Sequence, residues 1–196
     1  MAIKLNDIDP QELARIVKKY GEPKKIHFAT EFQEFECNLV KQSVAKGRHH
    51  DITCFIRSKE DQYITIQKHA YAETGIYRAP SGGANQGESL ESAARREMLE
   101  ETGMEIRILR FVLDSTLDVM CLDGVIPWRS LVFLAEPLGG NMVPQDTFEI
   151  YDVKISTREE MVGEISELME ESGWGGFKYR AHLTRAFFKQ LEILGI

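Results

Sequence analysis

The most constraining stretch of this chain is a glycine-rich turn that runs into a helix whose apolar stripe becomes acidic. Residues 82–104 read GGANQGESLESAARREMLEETGM. At 100° per residue, Leu90, Ala93 and Ala94 define the apolar face of a helix over 90–102, which Gly103 ends. Continuing that face brings up Glu97 and Glu101, with Glu100 at its edge. The three glutamates stand at i, i+3 and i+4, within reach of one another. Glu91, Ser92, Arg95 and Thr102 are expected on the wet side, where Leu99 is a misfit that predicts a protein contact. A run of charge on a helix is ordinarily a solvated face. Here two of the three carboxylates point where the apolar residues point. Burying them unpaired costs on the order of several kcal/mol each, or forces them to protonate. Arg96, four residues before Glu100, does not neutralise three acids. A divalent cation does, and oxygen donors without a thiolate favour magnesium or manganese over zinc. Gly82, Gly83 and Gly87 let the main chain come close to a ligand or a metal. Glu88, ahead of the helix, pairs with Arg96, caps the helix or completes the metal shell.

Around this segment the chain reads as strands with interspersed helices. A first helix has Asp9 as N-cap, Pro10 at its first position and Gly21 past its end. Residues 24–47 read as one or two extended segments, and residues 1–47 as an N-terminal extension to a domain over 48–196. Strands are expected at 52–57 and 62–68, joined as a hairpin through 58–61, and at 106–113, 130–135 and 148–155. Alternation slips near Tyr151 and predicts a bulge there. Two helices close the chain; Ser156 and Glu159 have capping-box spacing at the start of the first. The last carries Tyr179, Leu183, Ala186, Phe187 and Leu194 on one stripe, for core or dimer contact. This order implies an α/β class, with a mixed sheet covered on both faces.

Charge narrows the function. Lysine and arginine total 24 against 31 aspartates and glutamates, a net charge of -7. Such a chain is a poor non-specific binder of nucleic acid or anionic membrane, so no stable nucleic-acid partner is expected, and phosphates would be handled through a metal. Cys37, Cys54 and Cys121 lie far apart without CxxC spacing. That argues against a zinc ribbon or disulfide framework and for a reducing compartment. With no apolar run of membrane-spanning length and no signal-peptide core, a cytoplasmic protein is expected.

The segment resembles the signature of the Nudix hydrolases: G, five residues, E, seven residues, R-E-apolar-x-E-E-x-G-apolar. Gly82, Glu88, Arg96, Glu97, Met98, Glu100, Glu101, Gly103 and Met104 fill it without departure. A chance match at a given start has odds on the order of one in a billion, which makes the motif highly specific. Ser81, in Ala79-Pro80-Ser81-Gly82-Gly83, stands where many relatives have another small residue. A general likeness extends over residues 50–170. The resemblance implies an α/β/α sandwich and magnesium-dependent hydrolysis of a nucleoside diphosphate linked to another group, a nucleotide sugar such as ADP-ribose being the expected kind. It implies Glu97, Glu100 and Glu101 as metal ligands, and a backbone carbonyl from Gly82 or Gly83. Arg96 would orient the glutamates and Glu88 would support them. A base for the attacking water is outside the signature. Glu149 is the candidate, ahead of Asp146 and Glu160. The proline that many ADP-ribose-type members carry past the signature is missing, as are the tyrosine of some dinucleoside-polyphosphate members and the SQPWPFPxS run of NADH-type members. The extension is reminiscent of nucleotide-sugar pyrophosphatases, in which such segments help form a homodimer. Two other uses of the fold are a non-catalytic nucleotide sensor, which usually lacks signature glutamates, and an isomerase, for which Cys54 or Cys121 would be the reactive thiol.

Of the remaining residues, Arg48-His49-His50 read as a surface loop, and His27, His69 and His182 as structural. Trp128, Trp174, Tyr77 and Arg78 read first as packing, with substrate contact as the second role; Arg78, just ahead of the glycine turn, joins Gly82 and Gly83 as a substrate-binding candidate.

Overall fold

Strand β2 (His50–Lys59) alternates between two cores. Ile52, Cys54 and Ile56 enter one, and Phe55 enters the other. The computed structural model describes residues 8–196. In it β2 pairs parallel with β6 (Gly124–Gly140) and antiparallel with β3 (Gln62–Lys68). Strand β6 returns antiparallel to β5 (Met104–Cys121), which takes β1 (Lys24–Glu31) in parallel at one edge. Strand β7 (Ile150–Thr157) pairs antiparallel with β3 at the other edge. With β4 (Ser81–Gly82) paired to β2, the sheet has 7 strands.

Helices cover both faces. On one, α1 (Pro10–Tyr20) and α3 (Leu90–Thr102) bring Ile16, Tyr20, Leu90, Ala93 and Met98 onto Ile52, Ile56 and Phe133. On the other, α4 (Arg158–Val162), α5 (Glu164–Glu171) and α6 (Gly175–Leu194) bury Met161, Ile165, Met169 and Phe188. There Phe187 stacks on Phe55 with ring centroids 3.8 Å apart. The result is the expected sandwich of helices around a mixed sheet.

Several local expectations hold. Asp9 caps α1 by accepting from the Gln11 N–H at 2.9 Å. Helix α3 has the expected bounds, and Gly103 closes it at φ 72°, in the left-handed region. The register slips between Gln67 and Lys68, which pair with Asp152 and Ile150, so Tyr151 is the bulged residue.

Other expectations are corrected. Residues 24–47 hold one strand, β1, and a helix, α2 (Glu34–Ala45). Buried Glu36 ties α2 to the start of α6 by accepting from the Gly175 and Gly176 N–H groups at 3.0 and 2.9 Å. The capping box falls one residue later than expected: Thr157 accepts from the Glu160 N–H at 3.1 Å and donates its own N–H to the Glu160 carboxylate at 2.6 Å. Strands β5 and β6 run well past 106–113 and 130–135. Polar residues that seem to end them are paired within the sheet; Arg129 forks onto buried Asp114 at 2.8 and 2.7 Å. Thr102 is fully buried, not wet, and donates to the Met98 carbonyl. A disulfide joins Cys37 of α2 to Cys121 at the end of β5. The two are 84 residues apart in sequence, so no spacing rule reveals the pair, and the argument from unpaired cysteines to a reducing compartment falls with it. Among the described residues no helix is long and apolar enough to cross a membrane.

Candidate active site

Ser89 starts α3 by accepting from the Ser92 N–H at 3.1 Å, and the helix then carries its acids along the 81–88 turn. Glu101 is almost fully buried; it accepts from the Ser81 N–H at 2.8 Å and pairs with Lys68 Nζ at 3.0 Å. Glu97 accepts at Oε1 from the Gly83 N–H at 3.2 Å and from Arg96 at 2.9 Å. Glu100, at the rim, accepts from the same Arg96 nitrogen at 3.0 Å. Arg96 also forks onto Glu88 at 2.9 and 2.8 Å and donates to the Gly83 carbonyl at 2.9 Å. Of the three roles open to Glu88, the structure places it on Arg96, with a further hydrogen bond from the Asn85 N–H at 2.9 Å.

These contacts set the electrostatics. Hydrogen bonding from Arg96 holds the Glu88 carboxyl below its usual value. Burial raises that of Glu97, and the bond from Arg96 only partly offsets it. Glu88 therefore contributes stability above the ordinary carboxylate value of 4.5, and that contribution is lost as pH falls through its lowered folded value. Arg96→Ala is expected to cost about 2–3 kcal/mol, because it strips charge-assisted hydrogen bonds from partly buried acids. That corresponds to a fall in Tm of roughly 5–10 °C for a chain of this size. Lysine at this position lacks the fork and should recover little of the loss. Thermal melts from pH 7 to pH 3 test both points, since the gap between wild type and Arg96→Ala should narrow on acidification.

Beyond Gly82 lies a cavity of about 250 Å³ whose lining is rich in cations, among them Arg48, Lys68, Arg78 and Arg180. Arg180 reaches it from α6 and donates to Asp51 at 3.0 Å, Thr53 at 2.7 Å and Ser81 at 3.0 Å. Arg78 donates to Tyr71 at 3.0 Å, to the Ala79 carbonyl at 3.0 Å and to the Ser81 hydroxyl at 2.8 Å. Asp51 also takes the Trp128 indole N–H at 3.2 Å. Arg48 lies over Gly83, where an added Cβ would meet its side chain at 2.3 Å.

The structure thus brings Glu97, Glu100, Glu101, Arg96, Gly82 and Gly83 together. Glu149 joins them through Lys68, which pairs with both Glu149 and Glu101. Asp146 is occupied in its own loop, accepting from the Phe148 and Glu149 N–H groups, and Glu160 caps α4. Arg78 lines the cavity while buried in a hydrogen-bond network. His50 is buried on β2, which corrects its reading as surface loop. Trp174 stacks on Phe177 at 5.0 Å as packing, whereas Trp128 lines the cavity. Sequence reasoning missed Lys68, Asp51, Ser81 and Arg180. The one available signal was Asp51 and Thr53, polar residues at i and i+2 on either side of Ile52, just ahead of the apolar run 54–56. Both candidate thiols for an isomerase are excluded: Cys54 is fully buried and its thiol is pushed up to about 12 by burial, and Cys121 is bonded to Cys37.

Among the described residues no three acidic, histidine or cysteine side chains converge as a preformed metal cage; Arg96 and Lys68 hold the carboxylates instead. The donor chemistry nonetheless fits a hard cation. Carboxylate oxygens are the side-chain donors, and the Glu97 carboxyl carbon lies 1.9 Å from where a Cβ on Gly82 would sit, so glycine main chain and carboxylate share one narrow space.

Comparisons with known proteins agree with this geometry. The chain is 37% identical over 89 residues to the NAD-capped RNA hydrolase NudC of Edwardsiella ictaluri, covering 43% of this chain and 30% of that protein. It is 29% identical over 108 residues to the NAD-capped RNA hydrolase NudC of Vibrio vulnificus, covering 53% of this chain and 37% of that protein. The chain therefore spans about a third of the length of these curated relatives. A NUDIX-family hydrolase from Clostridium perfringens superposes with a TM-score of 0.50 at 15% identity, over 75% of this chain and 98% of that one, a likeness of fold alone. The NUDIX domain profile matches residues 47–181, and the chain belongs to that family.

Proposed function

We propose that this protein is a divalent-metal-dependent hydrolase that cleaves the pyrophosphate of a nucleoside diphosphate joined to a second group, such as the nucleotide sugar ADP-ribose. One observation carries the reading: the acids of α3 and a cavity lined by Arg48, Lys68, Arg78 and Arg180 adjoin across Gly82. One side suits a cation and the other suits phosphate. Glu97, Glu100, Glu101 and the Gly82 carbonyl would hold the ion, magnesium or manganese. When bound, that ion neutralises the diphosphate and lowers the pKa of a water. Arg96 fixes Glu97 and Glu100 relative to the turn, and Arg78 with Gly82 and Gly83 shapes the surface the diphosphate meets. Lys68 sets Glu149 beside Glu101, where the Glu149 carboxylate would take the water's proton. The segment before residue 48, whose α1 and β1 pack into the sheet domain, would also contribute to a homodimer, and a sizing measurement tests whether the dimer forms.

Glu149→Gln is expected to lower turnover at least tenfold with the melting temperature retained, because its half-exposed carboxylate pairs with Lys68 at the surface and Glu149 is not part of the core. Wild-type turnover in that variant removes Glu149 from the mechanism. The function itself is tested by a phosphatase-coupled phosphate-release panel with magnesium and with manganese. The panel holds nucleotide sugars, dinucleotides, nucleoside triphosphates, coenzyme A and, given the relatives' names, NAD-capped RNA. Hydrolysis of none of them with either ion would leave the sensor reading in its place.

A further inference from the structure

We propose that the Ser81 hydroxyl is the hydrogen-bond donor that seats a phosphate oxygen of the substrate in the cavity beyond Gly82; this rests on the diphosphate reading above. A serine hydroxyl has two acceptor lone pairs and one hydrogen to donate. At Ser81 both acceptor sites are used, by Arg78 Nη1 at 2.8 Å and by Arg180 Nη2 at 3.0 Å. Guanidinium nitrogens cannot accept, so the hydroxyl hydrogen must go elsewhere. Among the described residues it has no acceptor. The neighbouring carboxylates accept from other donors, Asp51 from Arg180, Trp128 and Thr53, and Glu101 from the Ser81 N–H and Lys68, and among the described residues neither accepts from the Ser81 hydroxyl. Ser81 is only 7% exposed and lines the cavity. A buried donor left unpaired is costly, and a ligand oxygen in that cavity removes the cost.

The chemistry of the acceptor follows from the surroundings. Two guanidinium groups polarise the O–H bond and make it a stronger donor. Arg48, Lys68, Arg78 and Arg180 share the cavity against the single acid Asp51, which selects an anionic oxygen over a ribose hydroxyl or a base carbonyl. Ser81 also links the two halves of the site. Its main-chain N–H fixes Glu101, while its side chain joins the cluster of cations. The phosphate it seats therefore lies next to the one that is attacked.

The test uses the full chain with Ser81→Ala and Ser81→Thr. Alanine should raise KM about tenfold while kcat falls less than about threefold, and threonine, which keeps the hydroxyl, should recover most of the affinity. Removing the acceptor of buried Arg78 and partly buried Arg180 also disturbs structure, so a second measurement separates contact from support. Calorimetry with a methylene-bridged nucleoside diphosphate analogue, with and without a single sulfur in place of a phosphate oxygen, reads binding apart from turnover. One sulfur diastereomer should bind wild type about tenfold more weakly than its oxygen parent and lose that penalty in Ser81→Ala. An equal sulfur penalty in both proteins, no binding of the analogue to wild type, or a loss confined to kcat would overturn the assignment. Serine-dependent binding by a protein that hydrolyses no diphosphate would support it while rejecting the hydrolase reading.

Discussion

Glu97→Gln and Glu101→Gln are each expected to lower turnover by about 1000-fold on any diphosphate the protein hydrolyses, with the fold intact. Glutamine keeps the shape of the side chain and removes its charge, so a cation loses the Coulombic partner for which no other acid in the turn substitutes. A contribution of roughly 4 kcal/mol from charge stabilisation by a bound metal corresponds to that factor. Stability should not suffer at position 97. Burial already disfavours the charged Glu97 carboxylate, and Arg96 retains Glu88 and Glu100 after the exchange. At neutral pH the wild-type protein without metal thus carries a destabilising charge at Glu97. This inverts the usual carboxylate pattern: a raised folded value gives stability that is present below 4.5 and lost as pH rises through that raised value. Magnesium should relieve this cost and raise the melting temperature of wild type but not of Glu97→Gln. Melting curves with and without magnesium, alongside initial rates, check both points. A variant that keeps wild-type rates and the same magnesium shift would remove Glu97 from the site.

Gly82→Ala should be nearly as damaging, by about 100-fold in turnover, although it touches no charge. The added Cβ would sit 1.9 Å from the Glu97 carboxyl carbon, so the carboxylate must swing away. The backbone cannot yield instead, because Gly82 pairs with Ile52 of β2, in the core of the sheet. A displacement of about 1 Å in a catalytic group can cost that factor. Gly87→Ala is the useful contrast. Its glycine has φ 79° but nothing within 4 Å of an added Cβ, so the substitution strains the turn without moving Glu97 and should affect turnover far less. Comparable losses in the two variants would show that turn conformation, and not the space beside Glu97, is what Gly82 supplies.

Much of this site was legible because it is local. Gly82, Glu88, Arg96, Glu97, Glu100 and Glu101 lie within two dozen residues on one turn and one helix, where periodicity alone assigns faces. The fork of Arg96 on Glu88 follows from the same short range. The cation-lined half was not legible, because it is assembled from distant elements. Lys68 ends β3, Asp51 lies on β2 and Arg180 comes from α6. Each by itself looks like an ordinary polar residue at a strand end or on a helix. The same reason explains the fold-level misses. Helix α2 has a weak amphipathic pattern, since Glu36 is its buried acid and Leu39 is exposed. The ends of β5 and β6 look polar until Arg129 meets Asp114.

The Cys37–Cys121 bridge closes a ring of sequence that contains β2, β3, the glycine turn and all of α3. A protease that clips the exposed 58–61 hairpin would therefore release no fragment under oxidising conditions. Both halves of the severed chain would migrate together on a gel until a thiol reagent parted them, and intactness judged without reductant would overlook the cut.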